Sequence, residues 1–123
     1  MAEQPHDLIR IRGWELKCLV GVYEEERHAP RTLHIDLTIH LPAADRQDDL
    51  SRTVDYARLQ QAIAQALSAT SYRLIESVAE RIAAVVLEDK RVTAVTVCVG
   101  KPGVLPGVRT VEAEITRLQE KSD

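Results

Sequence analysis

Leu33, Ile35, Leu37, Ile39 and Leu41 alternate strictly with Thr32, His34, Asp36, Thr38 and His40. So long a period-two run fits a strand and not a helix. One face must be covered and the other tolerates water, the pattern of an antiparallel sheet resting on a core. Pro42 ends it.

The rest of the chain supplies what such a sheet needs. Residues 8–20 alternate through Ile9, Ile11, Leu16, Cys18 and Val20, with Gly13 breaking the phase. That predicts a second strand with a bulge at Gly13. Between the two strands lies a charged loop, residues 21–31, with Glu24, Glu25 and Glu26 in a row. Residues 43–53 form a polar connection. Residues 55–69 show a helical face through Leu59, Ile63, Ala66 and Leu67. Residues 72–88 show another through Ile75, Val78, Ala79, Ile82, Val85 and Val86. The β-branched run 92–99 predicts a third strand, and residues 108–117 a fourth. Lys101 to Gly107, with two prolines and two glycines, is expected to be a loop. The order is ββααββ. It predicts an α+β domain in which both helices cover one face of a four-stranded antiparallel sheet.

At 123 residues the expectation is one domain, 1–123, with 1–6 and 118–123 as loose tails. Hydrophobic residues are 45% of the chain but aromatic ones only 3%, so the core is built from aliphatic side chains. A small aliphatic core on such a frame predicts further burial against another subunit. The net charge is −3 and no cluster of cations exceeds two adjacent positions. Nucleic acid and membrane surfaces are therefore not expected partners. No apolar run reaches membrane-spanning length and no signal peptide is visible. Cys18 and Cys98 read as buried thiols of a cytoplasmic protein. His34 and His40 share a strand face but stand about 20 Å apart, too far to share one metal. No zinc-binding spacing occurs, so neither metal nor cofactor is expected.

Three polar residues sit in apolar settings. Glu76 falls in the first turns of its helix, beside Leu74, Ile75 and Val78. Backbone N–H groups and the helix dipole favour an anion there. Such a carboxylate can accept paired hydrogen bonds from a guanidine-like edge, or it is simply an exposed helix glutamate. Lys101 ends a strand and is stiffened by Pro102, so it is either a placed proton donor or a solvated lysine. Tyr56 opens the first helix, either to meet a substrate hydroxyl or as a half-buried aromatic.

Taken in order, Leu19-Val20-Gly21-Val22-Tyr23-Glu24-Glu25-Glu26, Val54-Asp55-Tyr56, Leu74-Ile75-Glu76-Ser77-Val78-Ala79-Glu80 and Lys101-Pro102-Gly103 resemble the dihydroneopterin aldolase family over residues 8–117. The resemblance implies the tunnelling fold, ββααββ. It implies rings of four subunits, often stacked as homo-octamers, with active sites between neighbours. It implies retro-aldol cleavage of 7,8-dihydroneopterin to glycolaldehyde and 6-hydroxymethyl-7,8-dihydropterin in folate biosynthesis. By the same resemblance Glu76 anchors the pterin, with Val54, Leu74, Ile75 and Val22 around it. Lys101 acts as acid and base at N5, Tyr56 aids proton transfer, and Glu26 lies near the lysine, with Glu25 its competitor for that place.

Glu112 stands where the family often has glycine after a valine. The chain also resembles the sister family of dihydroneopterin triphosphate epimerases. That reading requires Arg27, Arg31, Arg73 or Arg109 to meet a triphosphate. A third reading is a non-catalytic ring protein that binds a pterin or purine.

Overall fold

A computed structural model describes residues 5–120. Four strands, β1 (His6–Cys18), β2 (Arg31–Pro42), β3 (Ala94–Leu105) and β4 (Val108–Leu118), form one antiparallel sheet in the order β1-β2-β3-β4. Two helices, α1 (Tyr56–Ser68) and α2 (Ile75–Val86), lie between β2 and β3 in sequence. The alternation in β2 is realised in full: Leu33, Ile35, Leu37, Ile39 and Leu41 are all buried. Val95, Val97 and Val99 extend that layer on β3. Ile63 and Leu67 of α1, and Ile75, Val78, Ala79, Ile82, Ala83, Val85 and Val86 of α2, are the buried helix residues of the same core. Among the described residues no helix is long and apolar enough to cross a membrane.

Gly13 takes φ +71° where the β1–β2 register slips between Ile11 and Trp14, and its N–H donates to Asp36 Oδ1 at 2.7 Å. The bulge restores Trp14 and Leu16 to the core side after Ile9 and Ile11. Asp55 caps α1, its carboxylate accepting from the Arg58 N–H at 3.2 Å. That contact satisfies one of the donors a helix start leaves free.

Two expectations are corrected. Lys101–Leu105 is not loop: β3 continues through it, pairing Lys101 with Val111 and Pro102 with Thr110. The breakers are tolerated because β2–β3 pairing ends at His34–Gly100. Beyond that point β3 has a neighbour on one side only, so the N–H that Pro102 lacks is not needed on the other. A register shift between Pro102 and Leu105, with Gly103 at φ +70°, absorbs the rest. The ends are also tied further out than expected. His6 already belongs to β1 and β4 runs to Leu118. Gln119 Nε2 then donates to the Leu87, Asp89 and Val92 carbonyls at 2.9, 3.2 and 3.1 Å. The remainder of the expected tails, residues 1–4 and 121–123, lies outside the described residues.

Candidate functional site

The end of the sheet where β1 and β3 finish is held together by contacts between loops. The Tyr72 N–H donates to the Leu19 carbonyl, and the Gly21 N–H to the Tyr72 carbonyl, both at 2.9 Å. This makes a short parallel bridge between Val20 and Tyr72. The bridge sets the segment after β1 against the segment that leads into α2, and therefore against Leu74, Ile75 and Glu76. Arg27 Nη1 secures the same loop, donating to the Gly21 carbonyl at 2.6 Å and the Val22 carbonyl at 3.2 Å.

Glu26 is folded back by a turn of 3₁₀ helix, Glu24–Arg27. Its Oε1 accepts from the Tyr23 N–H at 3.0 Å. Its Oε2 faces Lys101 Nζ at 3.4 Å. The two side chains are 27% and 14% exposed, a sheltered pair. Gly21 makes it possible: a Cβ there would stand 2.2 Å from the Cβ of Glu26. The Tyr23 N–H chiefly, then Lys101 and the guanidinium of Arg31, hold the Glu26 carboxyl below the usual glutamate range, against some desolvation. Arg31 keeps one guanidinium nitrogen, Nη1, buried without an acceptor among the described residues. Of the acidic run, then, the structure brings Glu26 to Lys101 and leaves Glu24 and Glu25 exposed.

Glu76 is the second residue of α2 and is exposed, while its neighbour Ile75 is buried. One turn on, Glu80 pairs with Arg117 at 3.6 Å. Glu76 has no such partner among the described residues, so its carboxylate is open to a ligand at the positive end of the helix. Leu74 precedes it, 46% exposed.

Tyr56 and Val54 lie elsewhere. Val54 is buried and shares a cavity of about 450 Å³ with Leu59, Val85 and Val86, beside the last turn of α2. At about 1.5 Å per residue, Glu76 and Val85 stand roughly 14 Å apart along that helix. Tyr56, next to Asp55 at the start of α1, is 61% exposed. One copy of the chain thus gathers Lys101, Glu26, Leu74, Ile75, Glu76 and Val22 at one end, and Val54 and Tyr56 at the other. Val22 and Tyr23 are also largely exposed, so both ends present large apolar surface to a neighbour or a ligand.

Glu112 faces out. It pairs across the sheet with Gly100, while its neighbour Val111, opposite Lys101, packs on the core side. Sequence reasoning gave no role to Tyr72, whose contribution is its backbone, or to Gly21 as the space for Glu26. For Gly21 the signal was available: a glycine directly after an apolar strand end, where the chain must pass close to something.

The family model described as FolB, dihydroneopterin aldolase, matches residues 9–116. A dihydroneopterin aldolase of Bacillus subtilis is 35% identical over 116 residues, covering 90% of this chain and 97% of that one. A dihydroneopterin triphosphate 2′-epimerase of Pseudomonas aeruginosa is 30% identical over 99 residues, covering 79% and 80%. The atomic-resolution crystal structure of Escherichia coli dihydroneopterin aldolase in complex with neopterin superposes with a TM-score of 0.80. Its identity is 24%, over 90% of this chain and 98% of that one. The fold is therefore the one the sequence resemblance implied.

Proposed function

The chain belongs to the dihydroneopterin aldolase family, lyases of folate biosynthesis, and we propose that it cleaves 7,8-dihydroneopterin at a site shared by two copies of itself. The observation that carries this is the separation of the site residues. Lys101, Glu26 and Glu76 stand at one end of the domain and Val54 and Tyr56 at the other, too far apart to touch one small molecule. A neighbour presenting its Tyr56 end to the Lys101 end completes the set. β1 and β4 are open sheet edges of 13 and 11 residues. Unpaired edges of that length call for a partner strand. Pairing β4 of one copy with β1 of the next continues the sheet into a ring. We take that ring to be a tetramer, two of which stack as an octamer. The free thiols of Cys18 and Cys98 support a cytoplasmic location.

In this reading the Glu76 carboxylate accepts two parallel hydrogen bonds from the amino-pyrimidine edge of the pterin. Backbone groups of Val54, Leu74 and Ile75, with Val22 alongside, complete the cradle. Lys101 gives a proton to N5. The N5–C6 double bond then draws electrons, so the substrate supplies its own sink and the lysine stays non-covalent. Loss of the 2′-hydroxyl proton breaks the C1′–C2′ bond and releases glycolaldehyde. The electron pair moves towards C6 and N5. Protonation at C1′, with return of the N5 proton, gives 6-hydroxymethyl-7,8-dihydropterin. Tyr56 of the neighbouring copy serves the side-chain proton transfers. Glu26 holds Lys101 in place.

Two variants test the shared site. Lys101→Ala and Tyr56→Phe proteins, each impaired alone, are co-expressed and assayed for glycolaldehyde release. Subunit mixing regenerates wild-type sites, roughly a quarter of the total for equal amounts. Activity no higher than the mean of the two separate variants would place all the groups within one chain and sink the proposal.

A further inference from the structure

Glu112, which the family resemblance set apart, stands on β4 two positions before Glu114. Val111, Ala113 and Ile115 pack on the core side of that strand, so both carboxylates emerge from the opposite face, and both are exposed. β4 is one edge of the sheet and β1 the other. On β1, Arg10 lies between Ile9 and Ile11, which pack on the core side. Arg10 therefore shares the face of Glu112 and Glu114. Arg12 follows in the same alternation, just before the bulge at Gly13, and both arginines are exposed. None of these four side chains has an ion-pair partner among the described residues. Beyond the bulge, Glu15 is engaged by His34 at 3.7 Å.

Within one copy each edge carries a charge that nothing offsets. Two carboxylates two residues apart on one strand face repel each other, and so do two guanidiniums. The inner side of β4 offers no relief, because Glu114 pairs across the sheet with Cys98, and Cys98 with Asp36. Burial first, then Glu112, Glu114 and Asp36, push the Cys98 thiol up to about 11. That side of the sheet is acidic, and the free cations stand on the far edge.

We infer that these charges form a clasp joining β4 of one copy to β1 of the next and setting their register. The inference rests on the shared-sheet reading above and adds which positions meet. Every strand pair is antiparallel, so β1 and β4 run in opposite directions, and a ring that brings β4 onto the next copy's β1 pairs them antiparallel. Setting Glu112 opposite Arg12 then also sets Glu114 opposite Arg10. The same register puts Ala113 opposite Ile11 and Ile115 opposite Ile9, so the apolar layer runs on from one copy into the next. Leu8 and Leu118, both exposed in one copy, become diagonal neighbours. A slip of one residue would turn the arginines to the other face. A slip of two would leave one arginine and one glutamate unmatched. Charged edge strands ordinarily keep sheets apart. Here β4 against β4 gathers carboxylates and β1 against β1 gathers guanidiniums, so two-fold pairing through either edge is disfavoured. Head-to-tail joining to a second copy of this chain is the pairing that remains, and it closes into a ring.

The test uses two double variants at low ionic strength, where exposed charges are least screened. Glu112→Arg/Glu114→Arg leaves both edges cationic, and Arg10→Glu/Arg12→Glu leaves both anionic. Sedimentation velocity reads assembly, and circular dichroism checks that the helices are kept. The parent is expected to assemble, and each variant alone to need about tenfold or more higher concentration, from opposed like charges across each interface. Mixed in equal amounts, the two should regain parental assembly with equal numbers of both chains by native mass spectrometry. Cationic and anionic edges then alternate around a ring with an even number of copies. Glu112→Gln/Glu114→Gln, which adds no repulsion, should lose the salt dependence of assembly that the parent shows. Reversed variants that assemble as tightly as the parent, a mixture no tighter than its components, or an unchanged salt dependence overturns the clasp and leaves the ring. A parent that stays monomeric overturns both. Glycolaldehyde release by the parent is followed alongside, and assembly without release would refute the proposed activity while supporting the clasp.

Discussion

The two ends of this domain are built differently. At the Lys101 end the loops are laced to one another: Tyr72 to Leu19 and Gly21, Arg27 to Gly21 and Val22, and Glu26 to Tyr23 and Lys101. At the other end Val54 is buried beside the Asp55 cap of α1, and Tyr56 is exposed with no side-chain hydrogen bond among the described residues. The first arrangement fixes charged groups before any ligand arrives. The second leaves an aromatic side chain on the surface, which the proposed site sets against a neighbouring copy. Substitutions within the lacing contacts should therefore disturb both chemistry and stability, while those at exposed positions without such contacts, Glu76 and Tyr56, should disturb chemistry alone.

The sharpest way to break that contrast is Lys101→Ala. Cleavage should fall about 10²-fold or more, the scale of a lost general acid, with pterin affinity within about tenfold. Unchanged turnover would remove Lys101 from the reaction. Gly21→Ala comes next. With no room for a Cβ, the loop must shift and carry Glu26 away from Lys101. Stability should drop by about 1–3 kcal/mol, the range for forced overpacking, and activity with it. A variant as stable and active as the parent would mean that the lacing is incidental. Glu76→Ala should weaken pterin binding by about 2 kcal/mol, the value of a hydrogen bond to a charged group, with no loss of melting temperature. Normal binding by titration would remove the anchor. Tyr56→Ala should stay within about 0.5 kcal/mol of parental stability, as exposed positions do, yet lose activity. A large fall in chemical stability there would erase the contrast between the ends.

How much of this was legible follows from the range of the contacts involved. β2 could be read because its side-chain alternation is a local property, and the burial of Leu33 through Leu41 repeats it residue by residue. The bulge at Gly13 was visible for the same reason. Lys101–Leu105 was misread because proline and glycine break a strand only when both its edges are in use. Whether β2 extends that far is not written in residues 101–105. Gln119 was read as tail because its three carbonyl partners come from a turn distant in sequence. Lys101 was singled out by its own setting at a strand end before Pro102, while Glu26 was named through the family resemblance. What the residues alone did not reveal is the Val20–Tyr72 bridge, a pairing of backbones that no side chain advertises. The resemblance implied sites between neighbouring copies, but which candidate residues lie at which end of the fold was visible only once α2 had a direction.

The smallest effect concerns pH. Glu26 is held below the usual glutamate range, first by the Tyr23 N–H. Asp89 is held below the usual aspartate range, first by the Arg91 side chain. A carboxyl whose pKa is lower in the folded than in the unfolded chain stabilises the fold above its ordinary pKa. It loses that contribution as pH falls from the ordinary value through the depressed one. Unfolding midpoints should therefore decline across the acid carboxylate range, and Glu26→Gln should make the decline shallower. An identical acid profile in parent and variant would show that the laced end gains nothing from this charge.

The bridge between Leu19–Gly21 and Tyr72 has a consequence for what the protein can accept. It fixes, through backbone alone, the interval between the start of α2 and the loop that carries Glu26. On the proposed site, Glu76 and the Lys101–Glu26 pair are the two jaws of a caliper whose opening is set before any molecule enters. A bicyclic ring with its amino-pyrimidine edge at Glu76 would have the opposite part of its frame gauged against Lys101.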